Sequence, residues 1–208
     1  MGGEKFKNTY RIESARLPGH NYGQPGWFFI TINTKDRVCW FGEVIDEEMI
    51  YSDAGRMVAD EWVRTADMRP NVRLDEWVVM PNHVHMLFAI VDVEHVLNID
   101  DHTVETHCNA SLRYGHASCN GSTIQSHVRH PYKNEFGPQR NNVASIIRGF
   151  KDACTKRINM ETPMPHFAWH SRFYDRIVRD ERTFHTIRQY IRDNPKKWWH
   201  DRNNPIGK

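Results

Sequence analysis

The stretch Trp77-Val-Val-Met-Pro-Asn-His-Val-His-Met-Leu-Phe-Ala-Ile90 leaves this chain few ways to fold. An apolar run of this kind, broken only by Pro81-Asn82, reads as two strands, Val72–Met80 and His83–Val91, turned by that pair. Side chains alternate faces along a strand. His83 and His85 therefore point one way, while Val84 and Met86 point the other way into a core. Two neutral imidazoles side by side on a sheet face make half of a divalent-metal site. The competing reading is an edge pair or a satisfied core pair, and spacing alone does not separate the two.

Similar periodicity marks elements over the rest of the chain. Residues 1–25 are polar, with Pro18, Gly19, Gly23 and Pro25, and read as an N-terminal arm. Trp27–Thr34 is a strand, and Val38–Val44 with Met49–Ser52 form a hairpin around Asp46-Glu47. Ser52 or Asp53 caps a helix running to Met68, with Met57, Val58, Trp62 and Val63 on its apolar face. Residues 92–140 carry six histidines and two cysteines among scattered Ser, Asn and Gly, with little periodicity. They read as an insertion or flexible loop. His102, His107, Cys108, His116 and Cys119 within it are zinc-type residues, but their spacing fits no standard finger. Asn142–Met160 is a helix with Val143, Ile146, Ile147, Phe150 and Cys154 as its stripe. Phe173–Val178 is a short strand. A last helix begins at Asp180-Glu181, buries Phe184, Ile187 and Ile191, and ends before Pro195. The order β-β-β-α-β-β-insertion-α-β-α predicts an α+β fold: an antiparallel sheet with helices mainly on one face.

At 208 residues the chain suits one sizeable domain. No apolar run approaches the ~20 residues of a membrane span, and the N-terminus has no apolar signal region. The four cysteines form no CxxC pair, which predicts reduced thiols in a cytoplasmic protein. The net charge of +2 is unevenly spread: residues 139–208 hold 15 Lys/Arg against 7 Asp/Glu, and residues 1–138 hold 13 against 19. A basic half suits a polyanion, although surface helices often carry Lys and Arg without one.

The last helix adds to the histidine pair. Tyr190 and Asn194 are four apart and share a helix face. Asn194 offers an amide oxygen, and phosphate chemistry at Mg²⁺ or Mn²⁺ wants an oxygen ligand and open positions. Tyr190 offers a phenol amid Arg188, Arg192, Lys196 and Lys197, cations that favour a nucleic-acid backbone. Each of these also has a plain reading: a packed tyrosine with a wet hydroxyl, and an asparagine at a helix stop.

The run Val78-Val-Met-Pro-Asn-His-Val-His-Met-Leu-Phe closely resembles the HUH motif of single-tyrosine transposases, in which a bulky apolar residue separates two histidines. Arg16-Leu-Pro-Gly-His-Asn-Tyr, Trp27-Phe-Phe-Ile-Thr-Ile, Phe41-Gly-Glu and Ile146-Ile-Arg-Gly-Phe-Lys resemble the branch called REP-associated tyrosine transposases, which are IS200-like. So do Phe173-Tyr-Asp-Arg-Ile-Val-Arg-Asp and Ile187-Arg-Gln-Tyr-Ile-Arg-Asp-Asn-Pro-Lys-Lys-Trp. The resemblance covers residues 11–91 and 141–199. It implies a single ferredoxin-like HUH domain over residues 1–208, with His83, His85 and Asn194 as metal ligands and Tyr190 as nucleophile. It implies metal-dependent cleavage and strand transfer of single-stranded DNA bearing a REP-like hairpin, through a 5′-phosphotyrosine, by a cytoplasmic, nucleoid-associated monomer or homodimer. Arg148, Lys151, Arg172, Arg188, Arg192, Lys196 and Lys197 are the candidate nucleic-acid contacts. Trp198 and Trp199 are candidates for base stacking or for capping the core.

Three readings remain open at the level of sequence. One is the strand-transfer enzyme; another is a domesticated, non-catalytic DNA- or RNA-hairpin binder. The third is a metal phosphodiesterase that uses water. Tyr174 and Tyr132 are alternative phenols, but Tyr174 falls on a strand and lacks a helical Asn partner.

Overall fold

The computed structural model describes residues 22–92, 141–162 and 166–205. Expectations for the N-terminal arm before residue 22, for 93–140 with its histidines and cysteines, and for Tyr132 fall outside the described residues. The elements are β1 (Gly26–Asn33), β2 (Gly42–Ile45), β3 (Glu48–Tyr51), α1 (Asp53–Met68), β4 (Val72–Met80), β5 (His83–Ile90), α2 (Val143–Glu161), β6 (Tyr174–Val178) and α3 (Glu181–Arg192). Two 3-10 segments, Lys35–Arg37 and Pro195–His200, also fall among the described residues. The hairpin of β2 and β3 stands apart from a four-stranded sheet ordered β4-β5-β1-β6, whose neighbours all pair antiparallel. α1 crosses from β1 to β4 and α2 crosses from β5 to β6, each skipping one strand. That is the ferredoxin-like topology, and the α+β expectation holds.

Local chemistry sets the helix starts. The Ser52 hydroxyl accepts from the Gly55 N–H at 3.1 Å and caps α1. Gly55 itself has no room for a side chain, because a Cβ would lie 2.1 Å from the Phe41 carbonyl oxygen. Asn142 and Ser145 cap α2 reciprocally, at 2.9 and 3.1 Å. Asp180 caps α3 through the Thr183 N–H at 2.7 Å.

The sheet buries both faces, unequally. Phe28, Ile30 and Ile32 of β1, with Val84, Met86 and Phe88 of β5, meet α1 and α2 in the larger core around Trp62 and Phe150. On the other face Phe29, Leu87 and Val178 meet Ile187 and Ile191 of α3. Two of the three described helices thus share one face, as expected from sequence.

The α1 stripe differs from expectation at two positions. Val63 is exposed, while Glu61 is buried. Glu61 is held at the α1–α2 interface by Arg157, 3.4 Å away, which also reaches Asp60 at 3.3 Å. A charge-neutralising partner on the facing helix overrides the apolar periodicity.

Strand β4 carries a bulge between Leu74 and Trp77. Alternation would put Asp75 and Glu76 on opposite faces. The extra residue turns both toward α3, since Val72, Leu74, Trp77 and Val79 all pack on the larger core.

Candidate metal and tyrosine site

The turn between β4 and β5 sets the chemistry of His83. Asn82 is fully buried. Its Nδ2 donates to the Arg37 carbonyl at 2.9 Å and to the Asn203 carbonyl at 2.8 Å. With both amide hydrogens used, Oδ1 faces His83 Nδ1 at 2.9 Å and can only accept. That assigns the proton of neutral His83 to Nδ1 and leaves Nε2 with a bare lone pair. An outer partner that fixes the tautomer in this way is what a metal-ligating histidine requires.

His85 lies on the same face, its Nδ1 2.8 Å from the Thr31 hydroxyl, directly across the β1–β5 ladder. Its Nε2 is 3.1 Å from His83 Nε2. Two ring nitrogens cannot meet lone pair to lone pair at that distance. Either one proton lies between them or a cation replaces it. Burial pulls the His83 pKa down to about 4, aided by Arg202 and Arg37 and opposed by Asp201 and Asn194. Burial, then His83 and Arg202, pulls His85 well below its usual value. Both rings are therefore neutral near pH 7, the form that binds metal.

Helix α3 delivers the tyrosine. Its apolar stripe seats on Phe29 and Leu87, which turns Tyr190 over the histidines. The Tyr190 hydroxyl is 3.2 Å from His85 Nε2, and its ring stands edge-on to Phe29 at 6.0 Å. The side chain stays 41% exposed, so the phenol faces both the histidine pair and solvent. Asn194, four residues on, is buried. Its Nδ2 donates to the Tyr190 carbonyl at 3.4 Å, while its Oδ1 lies toward His83 without a well-formed hydrogen bond among the described residues. A buried amide oxygen without a donor is costly, and a cation beside His83 would satisfy it.

Asp201 completes the cluster and was not anticipated from sequence. Its Oδ2 lies 3.8 Å from His83 Nε2, and the ligand atoms of His83, His85 and Asp201 all fall within 4.8 Å of one another. The Pro195–His200 segment brings it there. Trp198 plugs into Val44 and Met80 with its ring 6.0 Å from that of His83, and the chain then folds back. Trp198 is therefore a core residue, whereas Trp199 is 57% exposed. Asn33, opposite His83 in the ladder, is a second residue whose Oδ1 lacks a partner among the described residues.

The seven basic candidates are not gathered here. Arg188 and Arg192 point away from Tyr190 and pair with Asp75 at 2.9 Å and Glu76 at 2.6 Å, the two acids of the bulge. Lys197 pairs with Asp193 at 3.3 Å. Lys151 donates to the His170 carbonyl at 2.8 Å and, like the exposed Arg148, sits on α2 across the sheet. Arg172 and Lys196 are exposed. Tyr174 is also exposed, on β6.

Among the described residues, no helix is long and apolar enough to cross a membrane. No protein-family model matches the sequence. A protein of Haemophilus influenzae (strain ATCC 51907 / DSM 11121 / KW20 / Rd), itself uncharacterized, is 30% identical over 188 residues, which is 90% of each chain. Among solved structures, a REP-associated tyrosine transposase bound to a REP hairpin superposes with a TM-score of 0.52. The match has 16% identity and covers 90% of this chain and 74% of that one. At that identity the likeness is one of fold.

Proposed function

Because this chain belongs to the same family as the Haemophilus influenzae protein, and its fold is that of a REP-associated tyrosine transposase, we propose that it is a metal-dependent DNA transesterase. Its substrate class is single-stranded DNA folded into a hairpin, and its nucleophile is Tyr190. The observation that carries this reading is the Tyr190 hydroxyl 3.2 Å from His85 Nε2, with His83 Nε2 3.1 Å beyond. These groups come from strand and helix positions 105 residues apart.

The donor set fits a divalent ion: two neutral imidazoles, the Asp201 carboxylate and the orphaned Asn194 amide oxygen. Mixed nitrogen and oxygen donors suit Mn²⁺ or Mg²⁺, with Mn²⁺ favoured by the imidazoles. When bound, such an ion neutralises charge developing on a phosphodiester.

The chain's own residues do the rest. Ile187 and Ile191 fix α3 on the sheet, and Phe29 supports the Tyr190 ring. The Tyr190 oxygen attacks phosphorus in line, forming a P–O(Tyr) ester as the P–O3′ bond breaks. The phenol proton leaves to water, which the exposed hydroxyl reaches, and the departing 3′ oxygen takes a proton from water. The products are a 5′-phosphotyrosine and a 3′-hydroxyl. The ester linkage is conserved, so attack by a 3′-hydroxyl reverses the step and joins strands without a nucleotide cofactor. An aliphatic hydroxyl in the same place could attack as well, but phenolate is the better leaving group for the return.

The test is incubation with Mn²⁺ or Mg²⁺ and end-labelled single-stranded hairpins drawn from DNA flanking the gene, followed by denaturing gels. A metal-dependent adduct that disappears in Tyr190→Phe is the expected result. Cleavage that survives Tyr190→Phe without an adduct would assign water as nucleophile. Tight hairpin binding with no cutting under either metal would make the protein a binding module.

A further inference from the structure

Beside the His83–His85–Asp201 cluster lie two arginines whose charge is felt by His83. Arg37 and Arg202 are both exposed, and neither has a carboxylate partner within ion-pair distance among the described residues. They are brought together from opposite ends of the fold. The Arg37 guanidinium donates to the Arg202 carbonyl at 3.0 Å, across 165 residues of sequence.

The contact that assembles them is the one that prepares His83. Asn82 Nδ2 holds the carbonyl of Arg37 and that of Asn203, next to Arg202, while its Oδ1 holds His83 Nδ1. One buried amide thus ties a candidate metal ligand to both arginine-bearing segments. The Arg37 segment is also held in an unfavourable shape. Asp36 and Arg37 both adopt left-handed backbone, at φ 56 and 55, which residues with a Cβ avoid. Thr34 braces the turn, its N–H donating to the Asn82 carbonyl at 2.8 Å and its hydroxyl to the Val38 carbonyl at 2.8 Å. Strained backbone that is over-determined by its surroundings is characteristic of ligand clamps. The contrast with Arg188 and Arg192 is instructive, because those two are neutralised within the chain.

We propose that Arg37 and Arg202 form an anion subsite that grips a backbone phosphodiester of single-stranded DNA next to the His83–His85–Asp201 cluster. The planar guanidinium fork suits a phosphodiester's paired oxygens. Two such forks on the histidine side of the Tyr190 hydroxyl would orient the strand for attack and oppose charge on its phosphate. The inference rests on the transesterase reading and adds two binding residues to it.

Its test uses the full chain with Mn²⁺ and a fluorescent single-stranded hairpin DNA, with affinity measured by anisotropy from 50 to 300 mM salt on the order of the range in which counterion release is resolved. Loss of two phosphate contacts lowers the slope of log K against log salt by about 1.4, at roughly 0.7 per contact for single strands. Arg37→Gln with Arg202→Gln is expected to show that drop and to slow adduct formation roughly 100-fold. Arg37→Lys with Arg202→Lys is expected to restore most of the slope and little of the rate, because the bidentate geometry is lost. Lys156→Gln, at an exposed position of α2 on the far face, is expected to leave both unchanged.

Mn²⁺ affinity, read by electron paramagnetic resonance, is expected to hold in the lysine variant and to hold or rise in the glutamine variant, because the arginine charges oppose a cation at the cluster. If the glutamine double variant loses Mn²⁺ instead, the arginines only hold the cluster together and the subsite is refuted. If it keeps slope and rate while wild type binds and cuts, the subsite is refuted and the transesterase stands. If wild type neither binds nor cuts any hairpin, the transesterase reading fails and the subsite falls with it.

Discussion

On the face covered by α1 and α2, strands β1 and β5 present Phe28, Ile30 and Ile32 with Val84, Met86 and Phe88. On the face covered by α3, the same strands present Phe29, Thr31 and Asn33 with His83, His85 and Leu87. Both sets come from one period-2 alternation, yet one face is a dry core and the other a polar site. The first face buries large side chains from five elements. The second has a five-residue apolar cluster of Phe29, Leu87, Val178, Ile187 and Ile191, flanked by the Asp75–Arg188 and Glu76–Arg192 pairs. Stability and chemistry are thus separated by the thickness of one sheet. Polar groups such as Asn194 Oδ1 are tolerated unsatisfied because the opposite face supplies the burial that holds the strands.

Substitutions should split along that division. Phe88→Ala removes a fully buried ring packed on Trp62 at 5.3 Å and should cost about 3–5 kcal/mol in chemical denaturation. The variant that remains folded should bind Mn²⁺ as wild type does. A loss of metal affinity would show that the faces are coupled.

Acid should act through the other face. The buried histidine His83 has a folded pKa of about 4, below its ordinary 6.5. Between those values the unfolded chain binds more protons than the folded one. Stability of the metal-free protein is therefore full above about pH 6.5 and falls progressively as pH drops toward 4. His83→Gln should flatten that part of the pH–stability profile, while Phe88→Ala should shift the profile down without changing its shape.

Asn82→Ala should cost roughly 1–3 kcal/mol through the carbonyls and ring nitrogen it leaves unpaired. It should also weaken Mn²⁺ binding by about 10–100-fold, the usual effect of losing an outer-sphere partner. Titration of the metal at a temperature where the variant is folded separates the two losses.

The smallest stability effect belongs to Arg188→Ala with Arg192→Ala. These pairs are partly exposed, so the change in melting should be about 1 kcal/mol or less. Adduct formation should slow more than that implies, because the pairs set the roll of α3 and hence the place of Tyr190. Equal losses in both would make the pairs merely structural.

What the sequence shows and hides follows from the range of the interactions. Period 2 puts His83 and His85 on one face, and a spacing of four puts Tyr190 beside Asn194. Both depend on geometry within one element and both are found in place. Ser52, Asn142 and Asp180 mark their helix starts for the same reason. Asp201 is invisible because its approach to His83 depends on Trp198 finding the Val44–Met80 pocket and on a 3-10 turn beyond the expected helix stop. The bulge at Asp75-Glu76 carries no glycine or proline to signal it. Arg188 and Arg192 read as DNA contacts because their acidic partners lie more than a hundred residues upstream. Arg37 and Arg202, which the pattern passes over, are brought together by contacts across 165 residues, the Arg37 guanidinium on the Arg202 carbonyl and Asn82 between the two segments.

Covalent attachment of Tyr190 to DNA at this cluster is read by mass spectrometry of the adduct after nuclease and trypsin digestion. A nucleotide remnant is expected on Gln189-Tyr190-Ile191-Arg192, formed only with divalent metal and absent from His83→Ala. A remnant on Tyr174 or Tyr132, or cutting that leaves Tyr190 unmodified, would contradict it.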